Sequence, residues 1–292
     1  MNKLRGMIYT FIVAIIVIIA VVIKTKKGAE RKVEKIGDTI GAEENELKDK
    51  IISFLDCTCS FFPSGTNTSL INKAYKEAQL RGKKENFVPI LVVVEENLYE
   101  SFLANSNEDA DALCMEKVRK FRTEALDKRL ESGKELLDER LCQLREDMED
   151  AGDDDFDKEE EDAIGEAVNV FYNVQDSDTG QTNSLILAEI PVRNVWEVFA
   201  WLPFGGWNEC PDEMELMSVA KYWYECYKAI PATMSSDVLE FYVPCPVHKE
   251  ECRQLAFEQY AFCPDIVDQG VGSVKALEKT LSKSTVWFFW WD

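Results

Sequence analysis

The sequence closes on Thr285-Val286-Trp287-Phe288-Phe289-Trp290-Trp291-Asp292, where five of the last six residues are aromatic. A run this apolar cannot be left in water and must be a strand packed into the fold. In a strand, Trp287, Phe289 and Trp291 share one face, and Val286, Phe288 and Trp290 the other. Both faces are apolar, the pattern of a central strand covered on both sides. The expectation is a buried central C-terminal strand with Asp292 at its rim.

The other end is of a different kind. Met7 to Ile23 is an uncharged run of 17 residues, just long enough to span a bilayer as a helix. Residues 1–35 carry eight Lys/Arg and two Glu, a net of +6, and the remainder has a net of −27, within an overall −21. No A-x-A-like site follows the run, which favours an uncleaved anchor over a signal peptide. Lys24, Lys26, Lys27, Arg31, Lys32 and Lys35 follow it, and the positive-inside bias places the body in the cytoplasm. Nine cysteines, odd in number and irregular in spacing, read as reduced thiols and agree with that side. The acidic body argues against nucleic acid as a partner.

The chain divides into an N-terminal flank (1–6), a transmembrane anchor (7–23), a basic juxtamembrane linker (24–45), a helical and strand part (46–150), an acidic linker (151–165) and a C-terminal domain (184–292). Glu44 to Leu55 and Thr68 to Leu80 read as helices, the latter with Leu70, Ile71, Ala74 and Ala78 on one side. The continuous apolar Phe87 to Val94 reads as a buried strand. Residues 107–150 suggest a long charged helix interrupted at Gly133, with Leu130, Leu137, Leu141, Leu144 and Met148 at coiled-coil spacing; a helix lying on the body with one apolar stripe is the preferred reading. Glu146 to Asp162 holds twelve acidic residues but lacks the glycine of a calcium loop in either frame, so a solvated acidic linker is expected. Beyond it, strands at Ser184–Val192, Pro231–Met234 and Val238–Val243 alternate with helices at Pro211–Tyr227, His248–Phe262 and after Ser273. The class is α/β, with α+β as the alternative: a layered sheet with flanking helices.

No complete catalytic set is present. The Gly-rich turn Phe204 to Pro211 is ringed by Glu209, Asp212 and Glu213, which repel phosphate, and Asn208 is a candidate cap for the helix that follows. Cys263, at a helix C-terminus, should have a raised rather than a lowered pKa. Asp265 is expected to accept backbone amides after Pro264. His248 is the single histidine, and its spacing from Cys245 and Cys252 is not that of common zinc sites. No metal or cofactor is assigned. Asp237, Glu240, Glu258, Asp265 and Asp292 could meet at one sheet edge around a hard cation, but ordinary surface acids are the preferred reading.

Ile190-Pro-Val, Trp196-Glu-Val-Phe-Ala, FGGWNECP (204–211), Ala220-Lys-Tyr-Trp, Asp237-Val-Leu-Glu-Phe, EQYAFCPDIVDQG (258–270) and WFFWWD (287–292) together resemble the bacterial domain-of-unknown-function 4253 family. The likeness is dense over 184–292 and looser over about 50–170. It implies a bacterial protein but no activity, and the family pattern stresses Gly206, Asn208, Cys263, Pro264, Asp265, Gln269 and the terminal Trp-Trp-Asp. Gly206, Trp207, Asn208, Asp265, Gln269 and Asp292 are the candidate site residues.

The leading expectation is a membrane-anchored, non-catalytic binding or regulatory module facing the cytoplasm, suited to a protein partner with a basic surface. One alternative is a metal-dependent hydrolase using Asn208, Asp265 and Asp292, whose oxygens would have to converge around a cavity. Another is a small-molecule pocket lined by Trp207, Trp223 and Trp290.

Overall fold

The structure is a computed structural model, and the residues it describes are 44–106, 113–151, 163–175 and 179–292. The 7–23 run, the basic linker up to residue 43 and the acidic residues 152–162 lie outside them. No helix among the described residues is long and apolar enough to cross a membrane.

Asp49 to Asp292 form one compact unit. Among the described residues six strands make a single mixed sheet: β1 (Thr58–Phe62), β2 (Val88–Val93), β3 (Leu185–Ile190), β4 (Ile230–Met234), β5 (Val238–Tyr242) and β6 (Val286–Trp290), in the order β1-β3-β2-β4-β5-β6. Every pairing is antiparallel except β2 with β4. Strands from the 46–150 and 184–292 stretches thus share one sheet. All six residues of β2 are buried, as a continuous apolar run requires in the sheet interior.

Here the terminal strand departs from expectation. Among the described residues β6 is an edge strand, paired with β5 alone. Its two apolar faces are nevertheless used. Trp287, Phe289 and Trp291 are fully buried on the side of α7 (Glu213–Tyr227) and α8 (Lys249–Phe262). Trp223 of α7 stacks on Phe289 at 5.4 Å and meets Trp287 edge-on at 5.5 Å, and Phe262 of α8 meets Phe289 at 4.9 Å. On the other side Phe288 meets Tyr172 at 5.3 Å. Apolarity on both faces reports coverage above and below the sheet and says nothing of a neighbour along the hydrogen-bonding direction.

The helices follow their caps and stripes. α1 (44–55) and α3 (Glu96–Ser106) stack Phe54 on Phe102 at 5.2 Å. α2 (Thr68–Glu85) is capped by Asn67 and buries Ile71, Tyr75, Ala78 and Gly82, while Leu70 faces out. The expected long helix is two, α4 (Met115–Asp127) and α5 (Gly133–Ala151), separated by residues 128–132. Gly133 begins α5 rather than interrupting it. A side chain there would strike the Ser218 carbonyl of α7, so glycine permits the close crossing. α5 lies on α7 and α8 as a helix on the body, tied by Arg140 to Glu215 at 2.8 Å. A short α6 (Val198–Trp201) precedes the Gly-rich turn. Asp212 caps α7 through a capping box, the role suggested for Asn208. α8 stops before Pro264, and a π-helix (Ile266–Val271) leads to α9 (Val274–Leu281), capped by Ser273.

Candidate functional site

Five of the six candidate residues meet around Asp292. Gly205 and Gly206 adopt φ of +86° and +78°, which turns the chain sharply beneath α3. A Cβ on Gly205 would lie 1.9 Å from the Pro211 carbonyl, so only glycine fits. The Asn105 amide, which the sequence did not single out, donates to the Pro203 and Gly205 carbonyls at 2.9 Å each and fixes the turn. Trp207 then packs edge-on against Trp291 at 6.4 Å. Asn208, itself at φ +46°, donates from Nδ2 to the Asp292 backbone carbonyl at 2.5 Å. From the other side Asp265 Oδ2 accepts the Asp292 N–H at 3.0 Å and Oδ1 accepts Gln269 Nε2 at 2.9 Å. Asp265 therefore accepts the Asp292 amide, not the amides that follow Pro264.

This is a clasp on Trp291 and Asp292. Both Asp265 oxygens are occupied as acceptors, and Asn208 presents its nitrogen. The convergence of oxygens that a hydrolytic cation needs is not what this geometry provides. Among the described residues no group of three His, Cys, Asp or Glu is placed to hold a metal ion. The five carboxylates do not gather at one edge. Glu240 is buried on β5, where it accepts from Thr233 Oγ1 and the Tyr172 and Asn173 amides. Glu258 is buried on α8 beneath Tyr222 and Trp223. Burial pushes Glu240 up to about 7 against the opposing pull of its three donors. Cys263 gives its thiol hydrogen to the Trp290 carbonyl at 2.9 Å, and burial pushes it up to about 12, which makes it a poor nucleophile. Cys252 is buried and donates to the Val247 and His248 carbonyls.

The feature with the geometry of a binding site lies next to the clasp. A cleft of about 850 Å³ follows the free edge of β6, between the strap 163–175 on one side and the π-helix and α9 on the other. Its size suits an organic ligand or a short peptide. The strap is held by Ser284 Oγ and by the Thr285 and Val286 amides, all bonded to Val168, and by Lys283 to the Gly165 carbonyl. Tyr260 of α8 secures the π-helix through Asp268 at 2.7 Å. Two residues that line the cleft, Gln259 and Trp287, each carry a buried side-chain nitrogen with no hydrogen-bond partner among the described residues, as Arg122 and Trp291 do away from it. Buried donors are normally satisfied, and each one left open costs about 1–3 kcal/mol.

The cleft mouth is apolar. Val170 is 72% exposed, Tyr172 50% and Val271 39%, and all three line it. The charged lining residues are Glu95, Asp237 and Asp265, and no Lys, Arg or His joins them among the described residues. All three belong to the Trp290 end: Glu95 accepts from the Ser236 amide in the β4–β5 turn, Asp237 from Trp290 Nε1, and Asp265 from Asp292.

Of the six candidate site residues, Asp265 alone lines this cleft; Asp237, from the carboxylate set, lines it as well. The expected three-tryptophan pocket does not form, because Trp223 is buried in the aromatic core and Trp207 packs on the Gly-rich turn; Trp290 alone of the three reaches the cleft. Gln259 and Trp287 were missed as site residues. The glutamine on an otherwise apolar helix face was the available signal.

Neither a curated protein sequence nor a solved structure matches the chain. Residues 186–292, from within β3 through β6 to Asp292, match the model of the family described as Domain of unknown function (DUF4253), the same family that their motifs resemble.

Proposed function

We propose that this chain is a membrane-anchored, non-catalytic binding module whose body faces the cytoplasm and whose site is the cleft beside β6. The observation that carries the reading is the cleft of about 850 Å³ along the free edge of β6, lined by apolar side chains and by Glu95, Asp237 and Asp265. Three of the large exposed hydrophobics at its mouth support it, since exposed apolar patches mark interaction surfaces. A lining whose charged groups among the described residues are all carboxylates selects neutral or cationic ligands and repels anions.

The test uses the full chain in detergent with three fluorescent probes: neutral Nile red, cationic thioflavin T and an anionic anilinonaphthalene sulfonate. Saturable binding of the first two, and not the third, is expected. Changing Val170 and Val271 together to lysine should weaken both at least tenfold. Preference for the anion, or binding indifferent to that double change, would overturn the site. The anchor and topology rest on the 7–23 run and its basic flank. Cys142, Cys226 and Cys245 are exposed, so a membrane-impermeant maleimide should leave them unlabelled in intact cells; labelling without permeabilisation would place the body outside.

A further inference from the structure

We infer that the occupant of the cleft is an extended segment of a partner protein that adds to β6 as a seventh strand and carries a Lys or Arg at the Trp290 end. This deepens the binding-module reading and rests on it.

Trp291 N–H donates to Asp237 and Val243 N–H to the Thr285 carbonyl. In an antiparallel ladder hydrogen bonding alternates by residue, so residues 285, 287, 289 and 291 face β5, and Val286, Phe288 and Trp290 turn their N–H and C=O groups to the free edge. Two of those groups are already used: Val286 N–H by the Val168 carbonyl at 3.1 Å, and the Trp290 carbonyl by Cys263. The Val286 carbonyl, both Phe288 groups and the Trp290 N–H have no protein partner among the described residues. They form an unfilled ladder matching about five residues of an added strand.

Sheet edges are usually blunted by lysine, proline or a bulge. β6 has none of these. It is recessed between the strap and α9 instead, which guards it from another sheet and leaves it open to one extended chain. Val168 already makes the first rung at the Val286 end. Backbone pairing would supply register, and alternate side chains would enter opposite sides of the edge. One set would meet Gln259, Trp287 and Leu277; the other would meet Phe288 and Tyr172. Charge then orients the segment. The three carboxylates cluster at the Trp290 end, and the Val286 end is lined by Val168, Thr280 and Leu281. A basic residue belongs at the first end and an apolar one at the second.

The experiment selects random decapeptides displayed on phage against the full chain in detergent. Enriched sequences should be basic with alternating apolar residues and should displace thioflavin T. Synthetic hits N-methylated at alternate amides should lose at least tenfold in affinity in one methylation register and little in the other, because one set of amides faces β6. Glu95→Gln, which retains an acceptor for Ser236, should lower the preference for a Lys-containing hit over its Leu counterpart severalfold. Recovery of acidic peptides, equal tolerance of both methylation registers, or no enrichment at all would overturn the strand-addition inference; probe binding that still fails in the double lysine variant would leave the cleft reading standing. Self-association that displaces the peptides would assign the edge to a second copy of this chain.

Discussion

The two edges of the sheet are opposites. β1 is exposed at Thr58 and Ser60 and half-buried at Cys59, Phe61 and Phe62, so it presents small polar side chains to water. β6 is all aromatic after Val286 and hides its free side in a cleft. An edge strand can be made safe by polarity or by recession, and this protein uses one at each end. Recession has a consequence that polarity lacks: it keeps the ladder unpaired yet shielded, and so available to a selected chain.

Removing Trp287–Asp292 takes away the strand and partners of Trp223 and Phe262, and should abolish cooperative unfolding by circular dichroism; a folded, soluble product would show β6 to be dispensable. A finer version is Phe289→Ala against Phe61→Ala. The first empties a fully buried site and should cost about 3–5 kcal/mol, and the second, half-buried, about 1 kcal/mol, both read by urea unfolding.

Glu240 sharpens the contrast from beside β6, where it pairs across from Phe288 and holds the strap amides. Its carboxyl is raised by burial from 4.5 to about 7. Between those values the folded state keeps the proton that the unfolded state has lost. Stability therefore falls as pH rises through the window, by at most about 3 kcal/mol from this group. Glu240→Gln should flatten that part of the profile relative to the parent chain; an unchanged profile would remove Glu240 as its cause.

Smaller still is the pair Gly205→Ala and Gly206→Ala. The first forces a Cβ onto the Pro211 carbonyl and should cost about 2 kcal/mol or more; the second has open space around it and should cost about 1 kcal/mol, the strain of a left-handed alanine. At the β1 end, Asp56→Asn breaks the exposed pair with Arg119 at 2.8 Å and should leave the melting temperature unchanged. A large drop there would mean that the polar edge is not as independent of the core as it looks.

Much of the fold was legible as a chain of local signals. Apolar runs gave β2 and β6, turn residues gave the β4–β5 hairpin at Ser235-Ser236-Asp237, and Ser273 and Pro264 gave a helix start and a helix end, because these depend on neighbours in sequence. The candidate residues were also legible as a group: five of them do converge. Their role was not, since whether Asp265 binds a cation or an amide depends on Asp292 being delivered to it by six strands of tertiary structure.

By itself, then, the sequence determined that the aromatic terminus is buried, that the body is acidic, and that the elements layer helices on a sheet. Those follow from transfer free energy, charge and periodicity, which are properties of residues and their spacing. Tertiary packing placed β6 at an edge, Trp223 in the core and Trp290 at a cleft, and left one side-chain nitrogen each of Gln259 and Trp287 without a partner among the described residues. Strand order and the satisfaction of buried donors are set by which distant segments pack together, and no local pattern in a chain encodes what its own edge will face.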